Sequence, residues 1–511
     1  MPDNSQPVSR STAKIIGRPV LRIATILLLP LVLSACGQPS LSVSNDPGPS
    51  PFINMVHIRG SDLGGVTAVQ YTIAPKPGSL SNAVHVSYSI AALQARGYQS
   101  DGTLTVPVYG LYAGYDNQVS MELVRQGGDN VQFEVDISTE SYTDPTNIYG
   151  RPDVIVQRAA GTKLGFSFIY VKSNIESPVI LDTDGEIRWV VPDITPSLSS
   201  AFVGDTIILG DNTKPIVYKL RLDGSYQRAT LPASSQDYID FGHDIDYGKV
   251  GLLGEPDATT NGVEDVESNV IEIRDKEGLL ILNQWDLGAI ISSYMTSQGD
   301  DASAFVRPGK DWFHLNSAIY DPSDDSVIVS SRENFVIKLD YSTGNIEWIL
   351  GDPTKYWYTF PSLRAKALTL AAGGLYPIGQ HALSINPEGQ LMLFNDGLGS
   401  TNQPTGEPAG QSRTYSAVSA YTIDPTAMTA QNVWNYDAGQ AIFSSVCSSA
   451  YQTSDKSMLV DYATADNITE AILVGLDPNQ NVVFEYEYPT TGCNTSWNAR
   501  PFPLDNLQVN E

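Results

Sequence analysis

Histidine, cysteine and positive charge are all scarce in this chain. Its 511 residues include five histidines, three cysteines and 30 Lys+Arg against 57 Asp+Glu, for a formal charge of −27. Such a balance disfavours nucleic acid and anionic lipid as partners, because the summed field repels phosphate. It does not exclude an anionic small substrate, since a local cationic pocket can override that field. The apolar run at residues 23–35 is too short to span a bilayer as an ordinary helix. What is abundant is 42 Gly, 32 Pro and 26 Tyr within 41% hydrophobic residues. That is a globular, turn-rich composition of all-β type, long enough for two domains or one large repeat fold.

The scarce residues fall in informative places. Arg10, Lys14, Arg18 and Arg22 precede the apolar run, with Asp3 the one acid, and the run ends in Leu33-Ser34-Ala35-Cys36-Gly37. This reads as a lipoprotein signal peptide over 1–35, cleaved before a Cys36 that carries lipid. Gly37 after the cysteine is compatible with outer-membrane sorting. The expectation is a periplasm-facing lipoprotein of the cell envelope, tethered to the membrane through Cys36. Residues 36–51 are a Ser/Pro/Gly tether. An exported setting permits a disulfide between Cys447 and Cys493, though spacing leaves open two isolated thiols.

From 52 to 145 short alternating runs (INMVHIR, AVQYTIAP, AVHVSYSI, VPVYGLY, VSMELVR, VQFEVDI) are separated by turn residues. They predict a small Ig-like β-sandwich, with His57 and His85 as ordinary strand residues. From 146 to 511 a longer unit repeats: apolar strand, Asp-containing turn, apolar strand. It occurs at 179–191, 217–231, 270–287, 336–350, 420–437 and 473–489. Six such units predict a six-bladed β-propeller, a β-helix requiring a shorter and more regular period.

Three of the five histidines lie between these hairpins in one local setting: His243 in FGHDIDYG, His314 in DWFHLNSAIYDPSDDSVIVSSR and His381 in GQHALSINPEGQLMLFNDG. Each heads a short alternating run on an expected inner strand, so the three imidazoles converge on one channel mouth. Aligning NSAIYDPSDDSVIV with CSSAYQTSDKSMLV puts Ser445 opposite His314 in the last blade. Three histidines can hold zinc, but no HxH or HExxH spacing accompanies them, and Arg332 follows the hairpin that begins at His314. Arg332 suits sulfate or phosphate through its planar fork. Asn316, two residues beyond His314, shares that histidine's strand face and can donate to an anion. The set therefore points to nucleophilic or anion-stabilising chemistry with no metal and no cofactor. One imidazole attacks a transferable group while the others clamp it or carry protons.

These stretches resemble the bacterial arylsulfate sulfotransferases. The run 311–332 followed by IKLDYSTGNIEWILGDP, the segment 379–397, SRTYSAVSAYTID and, more weakly, PVYGLYAGYDNQV carry the resemblance. It implies ping-pong transfer of a sulfuryl group from a phenolic sulfate ester to a phenolic acceptor, without a nucleotide donor. It makes His381 the residue that becomes sulfated, with His243 and His314 flanking the group, Asn316 and Arg332 binding it, and Ser445 or Ser444 lining the site. It also implies a homodimer. Exported members of that family carry a closely spaced cysteine pair just before the nucleophile, and residues 355–380 have none. A hydrolase using the same cluster, or a non-catalytic ligand-binding propeller, are the competing readings. Retention of all three histidines with Asn316 and Arg332 argues against the latter.

Overall fold

Alternation of apolar and polar residues over five to eight positions makes strands, and Asp/Gly turns join them into hairpins. In the computed structural model those hairpins stack as six blades around a ring. The structure describes residues 41–510 apart from 61–62, 176, 192–198, 233–235, 261 and 276–277; residues 1–35, read above as a signal peptide, and Cys36 lie outside the described residues.

All six repeated units form the third and fourth strands of a blade counted from the ring axis, as in Ile216–Arg221 with Tyr226–Thr230 and Val336–Asp340 with Ile346–Leu350, and in the fifth blade Thr369–Leu370 adds a strand outside them. The innermost strands are Asn498–Phe502, Ser200–Val203, Ile245–Tyr247, Leu315–Asp321, Gln380–Ile385 and Ser449–Gln452, for the first to sixth blades. The first blade thus takes its inner strand from near the C-terminus, paired antiparallel with Phe168–Lys172. The sixth takes a fifth, outermost strand, Asp153–Val156, from the ring's beginning. Both swaps staple the ring shut.

Ahead of the ring, two sheets share one buried apolar cluster. One contains Ser42–Pro47, Ile53–Arg59 and Thr103–Tyr109, so the part of the expected tether at 42–47 is instead an edge strand paired antiparallel with Ile53–Arg59; the other contains Val66–Ile73, Val84–Ser89 and Asp116–Arg125. Val56, Val106, Val69 and Val86 are fully buried there. The last described strand, Leu507–Val509, joins the second sheet parallel to Val84–Ser89, so the chain's end belongs to this N-terminal body. His57 and His85 lie in its strands, bonded to Thr105 and Thr72 at 2.9 and 3.0 Å.

Blade-to-blade packing is mostly apolar, but around the ring axis it includes charges. Lys172 is buried with its Nζ 2.5 Å from Asp244, and Arg500 lies between Asp244 and Asp246 at 3.3 and 2.9 Å. Buried charges persist only when paired in this way. The pairing ties the first blade, the third blade and the C-terminal strand together beside His243.

Candidate active site

The heads of the inner strands are irregular, and that irregularity aims the side chains. His314 has φ +52°, and a register shift follows it between Leu315 and Ser317. Ala382, after His381, has φ +50°, with a shift between His381 and Ser384. Cys447 and Ser448 stand at φ +62° and +76° at the corresponding end of the sixth blade. A bulge or a left-handed residue at a strand end turns a side chain off the sheet face, and such costs cluster at functional sites. The rings of His243 and His314 meet edge to face at 4.8 Å between centroids, and Trp497 packs 5.0 Å from His243.

Carboxylates hold these imidazoles. A small three-stranded insertion (Asp237–Tyr238, Ala258–Thr260, Val263–Asp265) carries Glu267 to the same rim, in a left-handed backbone position of its own. Glu267 Oε2 is 2.7 Å from His314 Nδ1, and its Oε1 is 3.4 Å from His243 Nδ1. Asp311 Oδ2 is also 2.7 Å from His314 Nδ1 and accepts from Asn402 Nδ2 at 2.8 Å. Burial alone would discharge His314, but Glu267 and Asp311 outweigh it and push its pKa up to about 10. His243, buried with a weaker hold on Glu267, falls to about 4. One imidazole is charged and its neighbour neutral at pH 7.

His381 is buried and neutral: burial first, then the nearby Arg332 guanidinium, drive its pKa well below 6.5. Its Nδ1 lies 3.1 Å from the Gly379 carbonyl and 3.0 Å from Asp396 Oδ2. Acceptors on Nδ1 make that the protonated nitrogen and leave Nε2 with the lone pair. Burial raises the Asp396 carboxyl well above the usual range, with Arg332 and His314 opposing.

Arg332 follows the strand Ser326–Ser331 and is almost wholly buried. Its Nη1 donates to Glu333 at 2.7 Å, its Nη2 reaches the Ser445 carbonyl at 3.5 Å, and Asp396 is 4.0 Å from Nε. Arg332 Nε has no hydrogen-bond partner among the described residues. Asn316 donates through Nδ2 to the Gln380 carbonyl at 2.8 Å, coupling the fourth blade to the fifth beside His381. One amide N–H of Asn316 is therefore already engaged. Ser445 offers Arg332 its backbone carbonyl. The Ser444 hydroxyl is buried against Ser448 and Thr464, at 2.8 and 3.0 Å.

His243, Glu267 and His314 each present a ligand atom within 4.8 Å of the others, a donor set that suits a divalent cation as well as shared protons. His314 Nδ1 hydrogen-bonds Asp311 and lies 2.7 Å from Glu267 Oε2, while Glu267 Oε2 and His243 Nδ1 have no hydrogen-bond partner among the described residues. Cys447 and Cys493 form a disulfide. It links the sixth blade's inner loop to the segment that ends in Trp497.

Sequence reasoning did not find Glu267, Asp311, Asp396 or Trp497. Acids number 57, so no single one stands out by type. Only Asp311 and Asp396 sit inside quoted histidine segments, where their nearness was legible.

The Arylsulfotransferase (ASST) family model matches residues 153–498. The arylsulfate sulfotransferase AssT of Escherichia coli O6:H1 is 29% identical over 202 residues, 36% of this chain and 32% of that protein. The AssT of Lelliottia amnigena is 27% identical over the same shares. The matched region thus spans about a third of the curated relatives' length. Among solved structures, a beta-propeller domain of Myceliophteria thermophila Cps50 (Swd1) aligns at TM-score 0.34 and 10% identity, covering 67% of this chain and 100% of that one. BamB from Moraxella catarrhalis aligns at 0.26 and 12% identity, covering 73% and 91%.

Proposed function

The chain belongs to the arylsulfotransferase family, and from that premise we propose that it moves a sulfuryl group from a phenolic sulfate ester to a phenolic acceptor through a sulfated His381. The observation that carries this reading is a neutral, buried His381 beside the buried Arg332, whose guanidinium lowers the imidazole's proton affinity and whose Nε–H makes no hydrogen bond among the described residues. A sulfuryl oxygen accepting from that N–H would place sulfur near the imidazole.

In the first half-reaction the Nε2 lone pair of His381 attacks sulfur, the sulfur–aryl oxygen bond breaks, and an N–S bond forms. His314, charged at pH 7, gives its proton to the departing phenolate oxygen. In the second half-reaction neutral His314 takes the proton of the acceptor phenol. That oxygen attacks sulfur, and the N–S bond breaks. Arg332 and Asn316 bear the charge spread over the sulfuryl oxygens. Neutral His243 and Trp497 wall the site without adding charge. The Glu267 and Asp311 carboxylates face the Nδ1 side of His314 and stabilise its charged form, while the acceptor phenol returns the proton that the leaving phenol took.

The test is incubation of the protein with 4-nitrophenyl sulfate, reading 4-nitrophenol release and the intact mass. A burst equal to the number of sites and a mass gain of one sulfuryl group are expected in the wild type, and neither in His381→Ala. A sulfuryl adduct retained by His381→Ala would assign the nucleophile elsewhere.

A further inference from the structure

Residues 399–403 follow Asp396 on the fifth blade and cross to the fourth, where one carboxylate pins them. That carboxylate belongs to Glu333, the wholly buried residue after Arg332. Its Oε1 accepts from Arg332 Nη1 at 2.7 Å and from the Thr401 hydroxyl at 3.0 Å. Its Oε2 accepts from the backbone N–H groups of Thr401 and Asn402, at 2.7 and 2.8 Å. A carboxylate has about four acceptor sites, so this one is filled. The Ser400 hydroxyl and Gln403 Nε2 donate to the Glu333 carbonyl, the latter at 3.3 Å, and Arg307 Nη2 donates to the Asn402 carbonyl. Burying a carboxylate is costly unless it is paired and hydrogen-bonded. Here one group is both the counter-ion of Arg332 and the anchor of the loop.

The loop delivers one side chain toward His314. Asn402 Nδ2 donates to Asp311 Oδ2 at 2.8 Å, and the same oxygen is 2.7 Å from His314 Nδ1. Such a second donor is needed. His314 Nδ1 carries at most one N–H, yet Asp311 and Glu267 both approach it at 2.7 Å. Two carboxylates meeting at one nitrogen repel each other, and one N–H cannot hold both. Asp311 lies three residues before His314, outside any strand or helix, so regular backbone pairing does not fix it. Its Oδ1 has no hydrogen-bond partner among the described residues, so Asn402 and His314 hold the carboxylate by Oδ2.

We propose that Asn402 is a positioning residue for the transfer: anchored on the carboxylate that pairs with Arg332, it keeps Asp311 on His314 and so ties the proton donor to the anion clamp. This rests on the reading of His314 as the proton donor. The hold on Asp311, however, can be measured without turnover.

The test uses the full chain and Asn402→Ala. That substitution removes the amide and leaves the loop in place, because the bonds from residues 400–403 to Glu333 come from backbone groups or from other side chains. The first readout is the titration of His314, followed by NMR of histidine-labelled protein. Five histidines give few signals, and His314→Gln assigns one. The charged and titratable groups around His314 are Glu267 from the insertion, Asp311 from its own segment, His243 from the third blade, His381 and Asp396 from the fifth, and Arg332 from its own blade. Of these, Asn402 bonds Asp311. The His314 midpoint should therefore fall by about one pH unit in Asn402→Ala. In an Asp311→Asn background the same substitution should add no further shift, since residues acting through one contact are not additive.

The second readout is sulfuryl transfer. With phenyl sulfate, whose leaving oxygen needs a proton, kcat should fall by about 10-fold while KM stays within about twofold. With 4-nitrophenyl sulfate, a good leaving group, kcat should change by less than about twofold. The assignment is overturned by an unchanged His314 midpoint, by a further shift of equal size in the Asp311→Asn background, or by an equal loss with both donors. A wild type that transfers from neither donor would instead sink the function proposed above, and a shifted His314 midpoint in that same sample would keep Asn402 as the residue that holds Asp311.

Discussion

Replacing Glu267 by Gln removes one negative charge from between two imidazoles while keeping shape and hydrogen-bonding capacity. In the native protein His314 is lifted from 6.5 to about 10 against the effect of its own burial. That lift corresponds to roughly 5 kcal/mol of preference for the charged ring. Because the folded value lies above the unfolded one, the stabilisation is complete below pH 6.5 and is lost as pH rises through about 10. Glu267 is the largest favourable influence and Asp311 remains in the variant, so the His314 pKa should fall by about one to three pH units. The assay is the pH dependence of kcat for an aryl sulfate with a poor leaving group, where protonation of the departing oxygen limits the rate. The wild-type alkaline limb should fall near pH 10. In Glu267→Gln it should move down toward neutrality, and at pH 9 turnover should drop by on the order of 10-fold or more while recovering at pH 6. Glu267→Asp, which keeps the charge, should return the limb most of the way. An alkaline limb that stays near pH 10 in the Gln variant would refute both the source of the raised pKa and the role of His314 as the proton donor.

Other outcomes follow from the same geometry. Arg332→Lys keeps the charge but not the planar fork, and should lower kcat by about 10²-fold, measured in steady state under saturating donor. Reducing the Cys447–Cys493 disulfide, whose cysteines are 46 residues apart, should lower stability by roughly 4 kcal/mol on a chain-entropy estimate, seen as a shift in the urea midpoint. Dialysis against a strong chelator should leave turnover unaltered, because the proposed transfer runs through His381, Arg332 and His314 without a cation; a loss restored by one added metal would show a cation bound by His243, Glu267 and His314. Cys36→Ser should move the protein from the membrane to the soluble fraction, and continued membrane retention would argue for an uncleaved anchor.

The repeat was legible because hairpins that bury apolar faces against their neighbours must reuse one pattern. All six hairpins read from the sequence pair in the structure as the third and fourth strands of a blade. The histidines were legible because they are rare and recur at one position of that pattern; His314 and His381 share the rim with Arg332, and His243 contacts His314. Glu267 was not legible. It comes from an insertion outside the repeat, on a segment whose pairing depends on Asp237–Tyr238, more than twenty residues earlier. The Asn498–Phe502 strand was equally hidden, since its partner in the first blade lies at Phe168–Lys172 and no local period connects them. Asn316 was placed on the right strand. Its bond to the Gln380 carbonyl depends on how two blades abut, which strand alternation does not encode.

The two strand exchanges that staple the ring also set a timetable. A chain made from its N-terminus can pair the outer strands of the first blade early, but their inner neighbour, Asn498–Phe502, is made only after the other five blades' inner strands. Loop closure over so long a span is slow, and late contacts of this kind lengthen the search for the native state. The same final stretch delivers Trp497 against His243, Arg500 between Asp244 and Asp246, and Leu507–Val509 onto the N-terminal sheet. Ring, N-terminal sheet and imidazole pocket are therefore completed in one event. A nascent or truncated chain without residues 497–510 would carry every histidine and Arg332 but neither the inner strand of the first blade nor the Trp497 wall beside His243.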